Sequence, residues 1–102
     1  MSEPTIEHVP GIHHYELRDE GALIGHINYR DDGGRRVFLH TEVDKAYSGQ
    51  GLATRLMRFA LDDVRATGIR AVTLCPLMAA YVVKHRDYDD IIDPPHVLDS
   101  KA

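Results

Sequence analysis

The sequence has no tryptophan and a single cysteine, Cys75. One thiol cannot form an internal disulfide, so nothing here points to an oxidising compartment. Aromatic rings are few, which weighs against a surface that stacks nucleic-acid bases. No apolar run approaches the roughly 18 residues of a membrane helix. The start, Met1-Ser2-Glu3-Pro4, lacks the basic-then-apolar order of a secretory signal. The expected compartment is therefore the cytoplasm, with no membrane partner. Positive charge is also scarce: 12 Lys and Arg against 16 Asp and Glu leave a net charge of -4. With no basic block, a nucleic-acid partner held by phosphate contacts is not expected.

What is present suits one globular domain over 1–102, with 43% hydrophobic and 27% charged residues. The core is expected at about 13–92, with 1–10 and 95–102 as flexible ends. His13 to Leu17 alternates Tyr15 and Leu17 against His14 and Glu16 and predicts a strand. Ala22 to Tyr29 predicts a second, and Arg36 to Val43 a third beyond the hairpin loop Asp31-Asp32-Gly33-Gly34. Strict alternation in the third places Val37, Leu39, Thr41 and Val43 on one face and Phe38, His40 and Glu42 on the other. From Gly51 to Thr67 the spacing of Leu52, Leu56, Phe59, Ala60 and Val64 predicts a helix that Gly68 stops. Arg58 and Asp62 form an i,i+4 pair on its polar side. Ala71 to Cys75 reads as a buried strand, and Leu77 to His85 as a second helix. The fold class is α+β, verging on α/β: an antiparallel meander of three strands, a helix, a parallel strand and a helix.

The informative junction is Tyr47-Ser48-Gly49-Gln50-Gly51-Leu52-Ala53, between a strand and a helix. A helix start offers unpaired N–H groups and roughly half a positive charge. Glycines there let the backbone approach a bulky anion. Two glycines before a helix also serve as a plain tight turn. No Lys-Ser/Thr follows to make a P-loop, and the third glycine of a dinucleotide fingerprint is missing.

The run from Val43 to Ala53 resembles the acetyl-CoA loop of the GNAT superfamily of N-acetyltransferases, with Gly51 and Ala53 at its small-residue positions. Ser48 departs from the Arg or Gln usual there. With His40-Thr41-Glu42-Val43, Leu74-Cys75-Pro76 and Ala79 to His85, the likeness covers about Tyr15 to Tyr88 and is nearest the small, minimal YjdJ-like type. It implies an acetyl-CoA-dependent N-acetyltransferase acting on an amine, with the parallel strand splayed from its neighbour to admit the pantetheine arm. The alternative is a CoA-binding module without catalysis. By this resemblance Val43 bonds the arm through its main chain, and Ser48, Gly49, Gln50, Gly51, Leu52, Ala53 and Pro76 border the coenzyme. Lys84 and His85 either meet its phosphates or form a solvated cationic helix end.

Four side chains are candidates for the chemistry. Cys75 is a nucleophile activated by a neighbour such as His40, or a small apolar core residue. His40 and Glu42 share a strand face, as a base with its orienting partner or as a solvated polar pair. Tyr81 reprotonates the leaving thiolate or packs with Met78 and Val82. The segment Asp87, Asp89, Asp90 and Asp93 suits a cationic substrate or is simply a solvated loop. No metal is expected: the spacing of a zinc site is absent, and adjacent His13 and His14 point to opposite strand faces.

Overall fold

A computed structural model describes residues 3–99 of the chain. Five strands form one sheet in sequence order: β1 (Thr5–Val9), β2 (His14–Asp19), β3 (Ala22–Asp32), β4 (Arg35–Val43) and β5 (Arg70–Thr73). All neighbours pair antiparallel except β4 and β5, which are parallel. Helix α1 (Leu52–Thr67) makes the crossover between those two, and α2 (Pro76–Lys84) follows β5. The α+β class holds, but the meander has four strands rather than three. Residues 5–9, expected to be loose, pair with β2 from Thr5↔Arg18 to Val9↔His14. At the other end Pro95–Asp99 form a 3₁₀ turn. Of the ends expected to be flexible, 1–2 and 100–102 lie outside the described residues.

The helix spacing read from sequence is confirmed by burial. Leu52, Leu56, Met57, Ala60, Leu61 and Val64 of α1 are buried, and Gly68 closes it at φ 81°. Met78, Tyr81 and Val82 of α2 join the same apolar cluster, together with Tyr15, Leu17, Ile27, Phe38, Ala71 and Cys75 from the sheet side. Phe59, expected on the buried stripe, is partly exposed.

The alternation expected in β4 breaks. The register shifts between Asn28 and Tyr29, where Asn28 faces His40 and Tyr29 faces Phe38, so Leu39 is an extra residue on β4. Such a bulge reverses the faces beyond it. Phe38 therefore shares the helix side with Thr41 and Val43. His40 and Glu42 point to the opposite pleat. There the cross-strand rows run Glu7–Glu16–His26–Glu42 and Val9–His14–Asn28–His40.

β1 is tied down by Ile6, packed against the core, and by a polar network. The His8 ring stacks on Tyr15 with centroids 4.4 Å apart, its Nε2 lies 2.6 Å from the Tyr29 hydroxyl, and its Nδ1 lies 3.4 Å from Asp63. Tyr15 donates its hydroxyl to Asp63 at 2.6 Å. Arg36, 8% exposed, donates to Asp31 and to the Tyr15 oxygen, each at 2.8 Å, and its guanidinium sits 4.3 Å above the Tyr29 ring. This joins four strands and α1 through one buried cation. Removing one partner of such a set leaves the others unpaired at a cost of about 3–5 kcal/mol. Since Asp63 and Asp31 keep some solvent, Arg36→Met is expected to destabilise by about 3 kcal/mol, seen as a lower midpoint in urea unfolding.

Burial also holds the His8 imidazole below its ordinary value of 6.5, against the pull of Asp63. His26 is lowered likewise, by burial and then by His14. An unfolded chain takes up these protons near pH 6.5 and the fold resists them. The stability they contribute is full above 6.5 and is lost as pH falls through and below it. Thermal unfolding at pH 7.5 and 5.5 should show a lower midpoint at 5.5, and His8→Gln should reduce that difference.

Candidate active site

Pairing between β4 and β5 runs only from Arg35↔Arg70 to Phe38↔Thr73. The Phe38 carbonyl then accepts from both the Leu74 and the Cys75 amide, each at 3.0 Å. Two donors on one oxygen end the ladder: the chain turns into α2 while β4 continues to Val43. Among the described residues no strand pairs with that side of 39–43, so the two segments border an open wedge.

The wedge meets a cavity of about 270 Å³. Val43 of the strand, Tyr47, Ser48, Gly49 and Gly51 of the loop, Leu52, Ala53 and Thr54 of the first helical turn, and Leu77 of α2 line it. Gly49 and Gly51 adopt φ 80° and 74°, a left-handed conformation costing an L side chain about 1–2 kcal/mol. A Cβ on either would meet nothing within 4 Å, so the space beside both is open. Helix α1 has no side-chain cap and no acidic residue in its first turn. Its first backbone bond is Arg55 to the Gly51 carbonyl, 3.1 Å. The amides of Leu52, Ala53 and Thr54 thus lack helical partners and sit at the positive end of the dipole, an arrangement that suits a phosphate.

Six of the residues expected around a coenzyme therefore lie together: Val43, Ser48, Gly49, Gly51, Leu52 and Ala53. Gln50 is exposed and outside the lining. Pro76 is also outside it, although its neighbour Leu77 contributes. Lys84 and His85 sit at the other end of α2, about 10 Å along it from Leu77, where His85 packs on the Tyr81 ring at 4.5 Å. Tyr47, the first residue of the glycine loop, also lines the cavity; Thr54 and Leu77 were not anticipated. Leu77 had a signal, a large apolar side chain on the polar side of its helix, and it is 48% exposed.

Cys75 does not end a strand. It holds the N-cap position of α2, is 2% exposed, and its Sγ donates to Thr41 Oγ1 at 3.3 Å. Thr41 lies between His40 and Glu42 and points the other way, so the His40–Cys75 pairing considered from sequence is not built. His40 and Glu42 do come together, with Nε2 3.6 Å from Oε1 and both side chains well exposed. His26, missed as a site residue, completes this group. It is the direct cross-strand partner of Glu42, with its ring 6.1 Å from His40 and 5.2 Å from His14. Only the register of β3 against β4 reveals that grouping. In the neighbouring row, Asn28 keeps a buried Oδ1 with no hydrogen-bond partner.

Tyr81 is buried and its hydroxyl accepts from Arg58 Nη1 at 3.1 Å. The expected Arg58–Asp62 pair does not form. Asp62 instead accepts from Tyr88 at 2.8 Å, and burial together with that bond pushes the Tyr88 phenol up to about 12. The acidic segment is no open anionic surface. Asp90 pairs with Arg65 at 2.5 Å, Asp89 with Arg86 at 2.7 Å, and Asp93 with Arg35 and Arg70 at 2.9 and 2.7 Å. Among the described residues no group of three or more His, Cys, Asp and Glu is placed to hold a metal ion. None of their helices is long and apolar enough to cross a membrane.

A mixed sheet with a wedge beside its parallel pair, and a glycine cradle at the wedge's end, defines an α+β protein built to hold an extended ligand with an anionic group. The profile of the GCN5-related N-acetyl-transferase family matches residues 14–91. The chain belongs to that family. Its fold is similar to the solution structure of a GCN5-like protein from Staphylococcus aureus, with TM-score 0.73, 22% identity and 92% of each chain covered. It is also similar to a GNAT family N-acetyltransferase from Escherichia coli solved with CoA: TM-score 0.55, 29% identity, 60% of this chain and 38% of that one. A Brucella melitensis GNAT family acetyltransferase solved with acetyl-CoA matches at TM-score 0.54 and 25% identity, over 60% of this chain and 44% of that one. A comparison with curated proteins found no match.

Burial makes a direct statement about the thiol. Cys75 in the native protein should resist a disulfide reagent such as dithionitrobenzoate and react at once in denaturant. Rapid reaction of the folded protein would show that the side chain is open to solvent.

Proposed function

We propose that this protein transfers an acetyl group from acetyl-CoA to a primary amine. The observation that carries the reading is the cavity shared by Val43, the Gly49–Gly51 loop, the uncapped start of α1 and Leu77, at the mouth of the β4–β5 wedge. In this reading the pyrophosphate takes the free amides of Leu52, Ala53 and Thr54. The pantetheine arm lies along residues 39–43 and bonds the Val43 main chain as an added strand would. Leu74 and Leu77, large apolar residues left exposed, border its path.

Thioester and amine then meet beside the bulge at Leu39. His40, oriented by Glu42, takes the proton from the ammonium. The freed nitrogen lone pair attacks the carbonyl carbon, and an unpaired N–H on the β4 edge receives the growing charge on oxygen. The C–S bond breaks, the sulfur keeps its electron pair and takes a proton from Tyr81, whose hydroxyl Arg58 holds, and the second proton shed by the acylated nitrogen restores the phenol. This is direct transfer. Cys75, turned into the core toward Thr41, is a packing residue in it.

The test is release of CoA thiol from acetyl-CoA across a panel of amines, alongside calorimetry of CoA binding. Gly51→Val should weaken CoA binding at least tenfold, since its side chain is strained at φ 74° and fills the cradle. His40→Ala should lower kcat by about 10²–10⁴ with CoA affinity kept, while Cys75→Ala retains transfer. Tight CoA binding with no thiol release from any amine would leave a coenzyme-binding module in place of an enzyme.

A further inference from the structure

Beyond the coenzyme cradle, the end of β4 borders a second cavity, of about 230 Å³, lined by Leu23, Ile24, Gly25, His26, Glu42 and Asp44. Val43, between the two acids, lines the coenzyme cavity instead. Successive strand side chains point to opposite faces, so the two cavities back onto one another across this strand.

The charge inside is unusual for this chain. Each of its nine arginines (positions 18, 30, 35, 36, 55, 58, 65, 70 and 86) is paired with a carboxylate elsewhere. Glu42 is next to His40, and the Asp44 carboxylate accepts from the amide of Ala46, at 2.9 Å. Among the described residues neither has an arginine or lysine partner. His26 adds no positive charge near neutral pH, because burial lowers its pKa. Leu23 and Ile24 supply apolar wall. The cavity thus offers two carboxylates, a neutral imidazole and a surface for methylene groups.

Its position relative to the transfer site sets what it can take. The Glu42 carboxylate lies 3.6 Å from the His40 ring, whereas Asp44, four residues along the chain, is about 13 Å from His40. We propose that this cavity binds a second ammonium group of the acceptor, so that the preferred substrate is an aliphatic dication whose reacting amine sits at His40 beside Glu42 while its other end is held by Asp44. This rests on the acetyl-transfer reading above and gives it a substrate class. A four- or five-carbon chain with an ammonium at each end reaches from His40 past Glu42 toward Asp44, and its far end meets Leu23 and Ile24. The same pair of cations occurs in a free diamine and in a peptide with two adjacent lysines.

The test compares 1,4-diaminobutane with 1-aminobutane at saturating acetyl-CoA, with a Gly-Lys-Lys-Gly peptide in parallel to separate the two sources. The diamine should exceed the monoamine at least tenfold in kcat/KM. Asp44→Asn, which keeps an oxygen for the Ala46 amide, should cut that ratio at least fivefold. A peptide preferred over both, with the same dependence on Asp44, supports the subsite and assigns it a protein substrate. Equal kcat/KM for the two small amines, or a ratio that Asp44→Asn does not move, overturns the proposal. If no amine is acetylated, the transfer reading is what fails, and the subsite is decided by NMR of the CoA-loaded protein. Saturable shifts of the His26 ring with diamine alone, weakened in Asp44→Asn, support it. Identical shifts with both amines, or none, overturn it.

Discussion

One carbonyl organises the functional end of this molecule. The Phe38 oxygen, by accepting from both Leu74 and Cys75, stops the parallel pairing of β4 with β5. Because parallel neighbours end on the same side, the loop after β4 and the start of α2 emerge together there. The wedge, the glycine loop, the first turn of α1 and Leu77 all follow from that parting. The arrangement has a thermodynamic cost. A glycine at the helix start forgoes about a few tenths of a kcal/mol against a Ser or Asp cap, and the three forward amides stay unsatisfied by the protein. A ligand that occupies them returns that stability to the complex.

Charge is distributed with the same economy. The chain is acidic overall, yet its arginines are assigned to particular carboxylates: Arg36 inside the network under β1, and Arg35, Arg65, Arg70 and Arg86 along residues 86–93. Most of these pairs are exposed and individually weak. Their collective effect is to neutralise the acids that fasten the chain. The carboxylates that border the end of β4 are left charged.

The two helices, the glycine loop and the chain order were legible in the sequence because each has a short-range cause: the spacing of Leu52, Leu56 and Val64, or the positive φ at Gly49, Gly51 and Gly68. Three features were not, each because its cause is long-range. The bulge at Leu39 depends on pairing with β3, so strict alternation put Phe38 on the same face as His40. β1 reads as polar and dispensable, since His8 is held by Tyr15, Tyr29 and Asp63, the last 55 positions away. Tyr88, in an acidic segment, is fully buried because α1 offers Asp62 to its hydroxyl. At the site, the residues along one loop were found and the grouping of His26 with His40 and Glu42 was not, because strand register is invisible in one dimension.

Residues 91–93 have an effect on the molecule's relations with its own copies. β5 is an edge strand, and an unpaired edge is a template onto which another chain can add. Here the Ala71 amide donates to the Ile91 carbonyl and the Ala71 carbonyl accepts from the Asp93 amide, both at 2.8 Å. The protein's own backbone thus occupies the edge, clamped by Asp93 between Arg35 and Arg70. The segment that fastens the chain end to Ala71 thereby also denies the β5 edge to a second copy.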